Sequence, residues 1–268
     1  MKYGFIGTGC MGGALATACA KSISPEDILL SNRSPEKAQA LAEKLGAIPA
    51  GNETITRDCD VIFLGVKPQT MAQMLLPLQP ILTGRRTPFV LVSMAAGVTI
   101  EALQDMAGGR YPVVRIMPNT ACAVGAGMTT YTCSAEVTDR QRQTVLDALA
   151  ASGLLEEIEE GLMGAASAVA GCGGAYACLF LEGLADGGVL CGLPRKKAQR
   201  MAAQMLLGMA TQALESGEHT GALKDAVCSP AGSTIAGIRK LESMSFRSAA
   251  MEAVIAAWER ERKMQQQK

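Results

Sequence analysis

The sequence predicts an α/β protein in two parts: a Rossmann-type, doubly wound parallel sheet over residues 1–160, followed by an all-α dimerisation domain over residues 161–268. Two observations support this prediction. Short apolar runs alternate with helical segments in the first part, which is typical of a parallel sheet covered on both faces. After residue 160 no strand-like run follows, and every plausible segment is helical.

The composition is that of an ordinary globular protein. The chain has 268 residues, 49% of them hydrophobic, and 25 basic residues balance 25 acidic ones. Such a chain has no overall field that attracts nucleic acid or an anionic membrane, so we expect neither as a partner. Nine cysteines without a CxxC pair favour reduced thiols over a zinc site or disulfides. We read no secretory segment before the first strand and expect a cytoplasmic location.

The first strand leads directly into a glycine-rich turn. A short apolar run ends at Ile6, Gly7-x-Gly9-x-x-Gly12 follows, and an alanine-rich helical segment begins there. The first glycine permits a tight turn, the second lets a pyrophosphate approach the backbone, and the third allows close packing of helix on strand. Free N–H groups at the helix start hold the phosphates. We predict a dinucleotide site, with a purely structural turn as the alternative.

The second strand, predicted over residues 27–33, ends where the ribose of such a cofactor is read. An acidic residue at this point binds the 2′-hydroxyl of NAD, whereas an arginine suits the 2′-phosphate of NADP. The positions carry Asn32 and Arg33, followed by Ser34 and Pro35 at a helix start. The predicted cofactor is therefore NADP(H), with NAD(H) possible. The alternative is that Arg33 is an ordinary solvated charge.

The remaining strands of the first part are also apolar runs. They are predicted over residues 60–66, 89–93, 112–117, 128–133 and 155–158, with helices over 34–45 and 138–152. Ligands of parallel sheets bind beyond the carboxyl ends of the strands. Three of these ends carry unusual residues, namely Val66 to Gln69, Met94 to Gly97 and Met117 to Thr120. We expect a ligand crevice there.

The second part begins with a long apolar segment over residues 164–190, in which Glu182 and Asp186 are the only charges. Its length approaches that of a membrane span. Its glycines lower its mean hydropathy and both carboxylates lie within the segment, which disfavours a membrane span. We therefore interpret it as a helix buried against a second subunit. Further helices are predicted over residues 195–216, 219–227, 232–242 and 246–264.

Few side chains of the protein could act as the proton donor of a reduction. The single histidine, His219, lies in a polar connection, and the segment 164–190 has no lysine. Lys67 could serve as an acid or contact the cofactor. Reduction of a carbonyl needs a proton donor for the alkoxide, whereas a protonated imine brings its own proton. The residues therefore favour an imine substrate.

A second candidate site is Ser229-Pro-Ala-Gly232-Ser233-Thr234. Small residues and hydroxyls at a helix start expose backbone N–H groups that suit a carboxylate. A plain helix N-cap is the alternative. A hydroxyl of Ser233 or Thr234 could also hydrogen-bond the imine nitrogen.

Several motifs together resemble the pyrroline-5-carboxylate reductase family over essentially the whole chain. They are Val66 to Gln69, Ser93 to Val98, Arg115 to Thr120, Ala170 to Tyr176, Leu184 to Val189 with Gly192 to Pro194, and Ser229 to Gly237 with Leu241 and Glu242. The resemblance implies a Rossmann domain and a helical domain that interleaves with a second subunit, as a homodimer or an oligomer of dimers. It also implies NADPH-dependent reduction of 1-pyrroline-5-carboxylate to proline, the last step of proline biosynthesis.

The resemblance further implies roles for individual residues. The cofactor-binding set is Ile6, Gly7, Thr8, Gly9, Cys10, Met11 and Gly12 in the phosphate loop, Asn32, Arg33, Ser34 and Asn52 at the ribose end, and Val66, Lys67, Pro68, Ala95, Ala96 and Gly97 beside the nicotinamide. The substrate-binding set is Ser229, Gly232, Ser233 and Thr234. Thr234 is the catalytic residue, which hydrogen-bonds the imine nitrogen. No metal is implied.

Three motifs depart from the family pattern. Cys172 and Gly174 replace a serine and a proline, Ala121 replaces a proline, and Ala231 replaces a glycine. We expect Ala231 to adopt a conformation without positive φ, because its side chain disfavours one. Two rival functions stay open: reduction of a related six-membered cyclic imine acid, and a non-catalytic NADP-binding regulator that kept the fold.

Overall fold

The computed structural model describes residues 1–266, which fall into two compact units. The first unit contains residues 1–172 together with the chain from Ala257 onwards, and the second contains residues 173–256. The domain boundary predicted at residue 160 stays a prediction. Residues 267–268 of the predicted second domain lie outside the described residues.

An eight-stranded sheet forms the centre of the first unit. Its strands are Tyr3–Ile6 (β1), Ile28–Ser31 (β2), Ile48–Pro49 (β3), Val61–Leu64 (β4), Val90–Ser93 (β5), Val113–Met117 (β6), Gly127–Cys133 (β7) and Gly153–Glu157 (β8). Their order is β3-β2-β1-β4-β5-β6-β7-β8. The order reverses at β1, between β2 and β4, which makes the sheet doubly wound and confirms the predicted fold class.

Strand β7 runs opposite to the first six strands of the chain, and β8 runs in the same direction as β7. Strand β7 pairs antiparallel with β6 and parallel with β8, and every other pair is parallel. The sequence indicated the strand but not its direction. The physical reason is the short connection over residues 118–126, because a parallel return needs a crossover of a dozen or more residues. The short edge strand β3 was not predicted at all.

Eight α-helices lie along residues 1–172, and the sequence analysis gave bounds for two of them, the helices over 34–45 and 138–152. They are Cys10–Cys19 (α1), Pro35–Leu45 (α2), Asn52–Asp58 (α3), Pro68–Leu75 (α4), Gln79–Gly84 (α5), Ile100–Ala107 (α6), Asp139–Leu149 (α7) and Met163–Ala166 (α8). Helix α2 begins at a proline and ends at Gly46, whose φ of 73° closes the helix in the left-handed conformation.

Both faces of the sheet are packed, which explains why its strands read as continuous apolar runs. On one face Phe5 of β1 stacks on Phe63 of β4, with ring centroids 4.3 Å apart. On the other face their strand neighbours Ile62 and Leu64 are each 1% exposed or less. Burial of each such side chain stabilises the fold by about 1.5–3 kcal/mol, so this core holds the strand ends in place.

The second unit is helical throughout. Its helices are Gly173–Leu190 (α9), Arg195–Ser216 (α10), Thr220–Ala226 (α11), Ser233–Ser243 (α12) and the part of Phe246–Gln266 (α13) up to residue 256. The bounds of α10 to α13 match the predicted segments to within two residues, whereas α9 begins nine residues later than predicted. A π-helical turn, Ser167–Gly171, precedes α9, so the predicted helix over 164–190 is interrupted near its start.

Large apolar side chains of the second unit are exposed on the single chain. Leu179 and Leu190 of α9 are 72% and 90% exposed, and Leu214 of α10 is 72% exposed. The stretch Glu160–Leu190 is long and apolar enough to cross a membrane, with 11% of its most apolar window buried within the chain. An exposed apolar surface of this size is typical of an interaction site. The sequence analysis predicts that a second subunit packs against it.

Candidate functional site

The glycine turn between β1 and α1 has the geometry that its three glycines predict. Gly7 has a φ of 97°, a conformation that favours glycine. A Cβ on Gly12 would lie 2.1 Å from the carbonyl oxygen of Gly7, so only glycine permits this approach of helix to strand. Gly9 has open space within 4 Å of where its Cβ would be. The turn therefore combines a tight bend with an accessible backbone.

Helix α1 begins at Cys10 with Gly9 as its N-cap, and no side chain caps it. The N–H groups of a first helical turn have no acceptor within the helix. They and the positive end of the helix dipole favour a bound phosphate. Cys10 is exposed and Met11 half-buried at this surface. The residues present thus fit a dinucleotide pyrophosphate.

Hydrogen bonds join the end of β2 to the glycine turn and to α3. The amide nitrogen of Asn32 donates to Thr8 Oγ1 at 3.1 Å. The carboxamide oxygen of Asn32 accepts from the N–H of Ser34 at 3.1 Å. Ser31 Oγ donates to Asn52 Oδ1 at 2.6 Å. The structure therefore brings the predicted phosphate and ribose residues of three separate segments together.

Arg33 is the cation at this strand end. Its side chain is exposed and, within residues 1–263, has no hydrogen-bond or ion-pair partner. Ser34 stands at the N-cap of α2 but its side chain makes no capping bond. An uncommitted guanidinium and hydroxyl suit a 2′-phosphate better than a ribose hydroxyl.

The predicted strand-end loops lie at the carboxyl ends of β4 and β5. Val66 reaches the glycine turn, since a Cβ on Gly7 would lie 3.0 Å from Val66 Cγ1. Lys67 is the exposed N-cap residue of α4, before Pro68. Beyond β5, Ala95 is 2% exposed while Ala96 is exposed.

The loop after β5 turns back on itself. Val98 N–H donates to the carbonyl of Ala95 at 3.3 Å, and Gly97 has a φ of 71°. Because β1, β4 and β5 are parallel neighbours in the sheet, these loops and the glycine turn lie at the same edge of it.

The second candidate loop precedes α12 in the helical unit. The N–H of Gly232 donates to the carbonyl of Ser229 at 3.0 Å, closing a turn. A Cβ on Gly232 would lie 2.4 Å from Ser229 Oγ, so the turn is compact. Helix α12 begins at Ser233 with no side-chain cap, and Ser233 and Thr234 are exposed. An uncapped helix start fits a carboxylate.

The expectation for Ala231 was wrong. Its φ is 55°, in the left-handed region, although it is not glycine. Ala231 occupies the third position of the Ser229 to Gly232 turn, after Pro230, where a positive φ is the usual requirement of a type II turn. The closure of the turn and the start of α12 therefore outweigh the local cost of about 1–2 kcal/mol that a Cβ imposes there.

His219, the candidate acid of the second part, has a structural role. His219 caps α11, because its Nδ1 accepts from the N–H of Gly221 at 3.0 Å. In the part of the chain that the structure describes, His, Cys, Asp and Glu form no group of three that could hold a metal.

Glu160 was missed by the sequence reasoning. Its Oε1 accepts from the N–H of Ile100 at 2.7 Å and from Arg115 Nη1 at 3.0 Å. Arg115 belongs to a motif quoted above, but no sequence pattern links it to a glutamate so distant along the chain.

Comparisons with known proteins agree with this geometry. Residues 160–264 match the family described as pyrroline-5-carboxylate reductase dimerisation, and residues 2–97 match the family of NADP oxidoreductase, coenzyme F420-dependent. The pyrroline-5-carboxylate reductase of Escherichia coli (strain K12) is 39% identical over 266 residues, covering 98% of each chain. That of Pisum sativum is 36% identical, over 97% of this chain and 95% of the plant protein.

A solved structure is similar over the same length. The pyrroline carboxylate reductase of Plasmodium falciparum, with NADP bound, superposes with a TM-score of 0.88 at 34% identity, covering 99% of this chain and 98% of that one. Full-length identity above 30% together with the matched dimerisation family establishes the relationship, and the chain belongs to the pyrroline-5-carboxylate reductase family.

Proposed function

We propose that this chain reduces 1-pyrroline-5-carboxylate to L-proline with NADPH, the last step of proline biosynthesis. Full-length similarity to reductases of bacteria, archaea and plants supports this function most directly. The bound NADP of the Plasmodium falciparum relative supports the cofactor. The chain is thus an NAD(P)H-dependent oxidoreductase that acts on a carbon–nitrogen double bond.

The first unit binds the cofactor through groups already in place. The N–H groups at the start of α1 hold the pyrophosphate, and Arg33 with Ser34 holds the 2′-phosphate. Val66 to Pro68 and Ala95 to Gly97 border the nicotinamide. Bound NADPH supplies the hydride that reduces the imine carbon.

The second unit binds the substrate. The uncapped N–H groups of α12, flanked by Ser229 and Ser233, orient the carboxylate. The Thr234 hydroxyl accepts a hydrogen bond from the protonated ring nitrogen and donates one to it after hydride addition has produced the amine. A protonated imine needs no additional acid, which agrees with the capping role of His219.

The active unit is a homodimer, or an oligomer of dimers, in the cytoplasm. The match to a dimerisation family supports self-association, and the exposed leucines of α9 and α10 supply an apolar surface for it. We expect neither a membrane nor a nucleic acid as a partner.

A substrate-dependent assay tests the proposal. Purified protein is mixed with 1-pyrroline-5-carboxylate and either NADPH or NADH, and the loss of nicotinamide absorbance is followed. We expect turnover with both cofactors and a higher kcat/KM with NADPH. Faster turnover of the six-membered ring homologue would assign that imine acid instead. Tight NADPH binding without turnover of either ring would identify a non-catalytic regulator.

A further inference from the structure

One carboxylate oxygen links two parts of the first unit. Glu160 Oε1 accepts from the backbone N–H of Ile100, the first residue of α6, at 2.7 Å. The same oxygen accepts from Arg115 Nη1, in the middle of β6, at 3.0 Å. Glu160 therefore ties the start of α6 to the central sheet.

The hydrogen bond from Arg115 to Glu160 compensates the buried positive charge of Arg115. The Arg115 side chain is 3% exposed, and within the described residues its Nε and Nη2 are buried without a hydrogen-bond partner. Glu261 of α13 also faces this charge, but within the described residues it forms no ion pair with Arg115, and burial raises the pKa of its carboxyl. Glu160 is thus the main compensation, and removing it leaves an uncompensated buried cation.

The start of α6 is the exit of the loop that borders the nicotinamide. Ala95 to Val98 form the closed turn, and Thr99 then caps α6 by accepting from the N–H of Ala102 at 3.2 Å. The Ala95 to Val98 turn therefore leads directly into the capped first turn of α6. Holding the N–H of Ile100 holds the turn against the carboxyl end of β5.

We propose that Glu160 is a positioning residue for hydride transfer, acting through Ile100 and the Ala95 to Gly97 turn. This inference rests on the proposed function of the same crevice. Glu160 acts within the first unit: by fixing the turn that borders the nicotinamide, it sets the orientation of that ring. A displacement of about 1 Å in such a geometry slows a reaction by roughly 10²-fold.

Steady-state kinetics of Glu160→Ala and Glu160→Gln test this role. We expect Glu160→Ala to lower kcat by about 10–100-fold while the KM for NADPH changes by less than about twofold, because the phosphate and ribose contacts are untouched. Glu160→Gln keeps an oxygen acceptor for the N–H of Ile100 and should recover part of the loss. A wild-type kcat in Glu160→Ala would overturn the inference.

Two controls separate positioning from a loss of stability. Glu101→Gln changes an exposed carboxylate in the first turn of the same helix, paired with Arg110 at 3.7 Å, and should leave kcat unchanged. Val145→Ala, in the core of α7, should lower the melting temperature and spare kcat. If Val145→Ala lost as much kcat as Glu160→Ala at equal melting temperatures, the role of Glu160 would be merely structural.

The fluorescence of bound NADPH gives a readout that does not require turnover. We expect Glu160→Ala to change the emission of the bound nicotinamide without changing the Kd for NADPH. If the wild type bound NADPH but turned over no imine, the proposed function would fail, and an altered emission in Glu160→Ala would still support positioning. An unchanged emission would count against it.

Discussion

The side-chain amide of Asn32 donates a hydrogen bond to Thr8 Oγ1 at 3.1 Å, joining the end of β2 to the glycine turn. The oxygen of the same carboxamide accepts a hydrogen bond from the N–H of Ser34. Asn32 is therefore committed within the chain, and Arg33 beside it is not. This difference supports the proposal that Arg33 binds the 2′-phosphate.

Arg33→Ala should convert the preference for NADPH into a weak or absent one. Loss of a charge-assisted contact to phosphate costs about 1.5–3 kcal/mol, so we expect the KM for NADPH to rise roughly 10–100-fold. The KM for NADH, which has no 2′-phosphate, should change little. Parallel kinetics with both cofactors measure the ratio. Lys44→Ala, an exposed cation at the far end of α2, is the matched control; an equal effect there would contradict the assignment.

Thr234→Ala should reduce turnover more than cofactor binding. Removing one hydrogen-bonding group from a reacting atom lowers kcat by about 10²-fold in other enzymes. We expect a loss of that order with an unchanged Kd for NADPH, and partial recovery in Thr234→Ser, which keeps the hydroxyl. Ser243→Ala removes an exposed hydroxyl at the other end of α12, where it bonds the carbonyl of Lys240, and should keep full activity.

Ala231→Gly should stabilise the protein. The Cβ at a φ of 55° costs about 1 kcal/mol or more, and glycine removes that cost. Thermal unfolding should then show a melting temperature higher by about 2–4 °C. Ala236→Gly, in the interior of α12, should instead lower the stability by about 1 kcal/mol. A lower melting temperature in Ala231→Gly would show that Ala231 is not strained.

Cys10 should report occupation of the phosphate loop. It is exposed at the start of α1, so iodoacetamide should alkylate it. NADPH at a hundredfold excess over its Kd should slow the reaction about 100-fold by mass action. Cys59 is an internal control, because burial raises its pKa to about 12 and leaves almost no thiolate at neutral pH. Peptide mass spectrometry measures both sites; equal labelling of Cys10 with and without NADPH would place the cofactor elsewhere.

Glu261→Gln should stabilise the protein at neutral pH and not in acid. Burial raises the pKa of Glu261 in the folded state. The stability that its protonation contributes is complete below the unfolded pKa of about 4.3 and is lost as the pH rises through the folded pKa. The difference in unfolding free energy between variant and wild type should therefore grow from pH 4 to pH 8. Glu259→Gln, which changes an exposed carboxylate on the same helix, is the matched control.

The chain's local features could be read from the sequence. The glycine turn, the proline at the start of α2 and the uncapped start of α12 each depend on residues within a few positions of one another. Such signals act through local sterics and backbone hydrogen bonds. For the same reason α10 to α13 were located to within two residues.

Three features required the tertiary structure. The direction of β7 depends on how the chain returns after β6, and the bonds of Glu160 to Ile100 and Arg115 join residues far apart along the chain. The φ of Ala231 opposes its local preference and follows from the closure of its turn.

The sequence by itself thus determined the fold class, the glycine turn with its cationic strand end, and the positions of α10 to α13. The tertiary structure alone decided which distant groups are in contact, and that Ala231 adopts a positive φ against its local preference. The physical reason is that local conformation responds to neighbouring residues, whereas pairing of buried charges and strands is settled when packing closes the chain on itself.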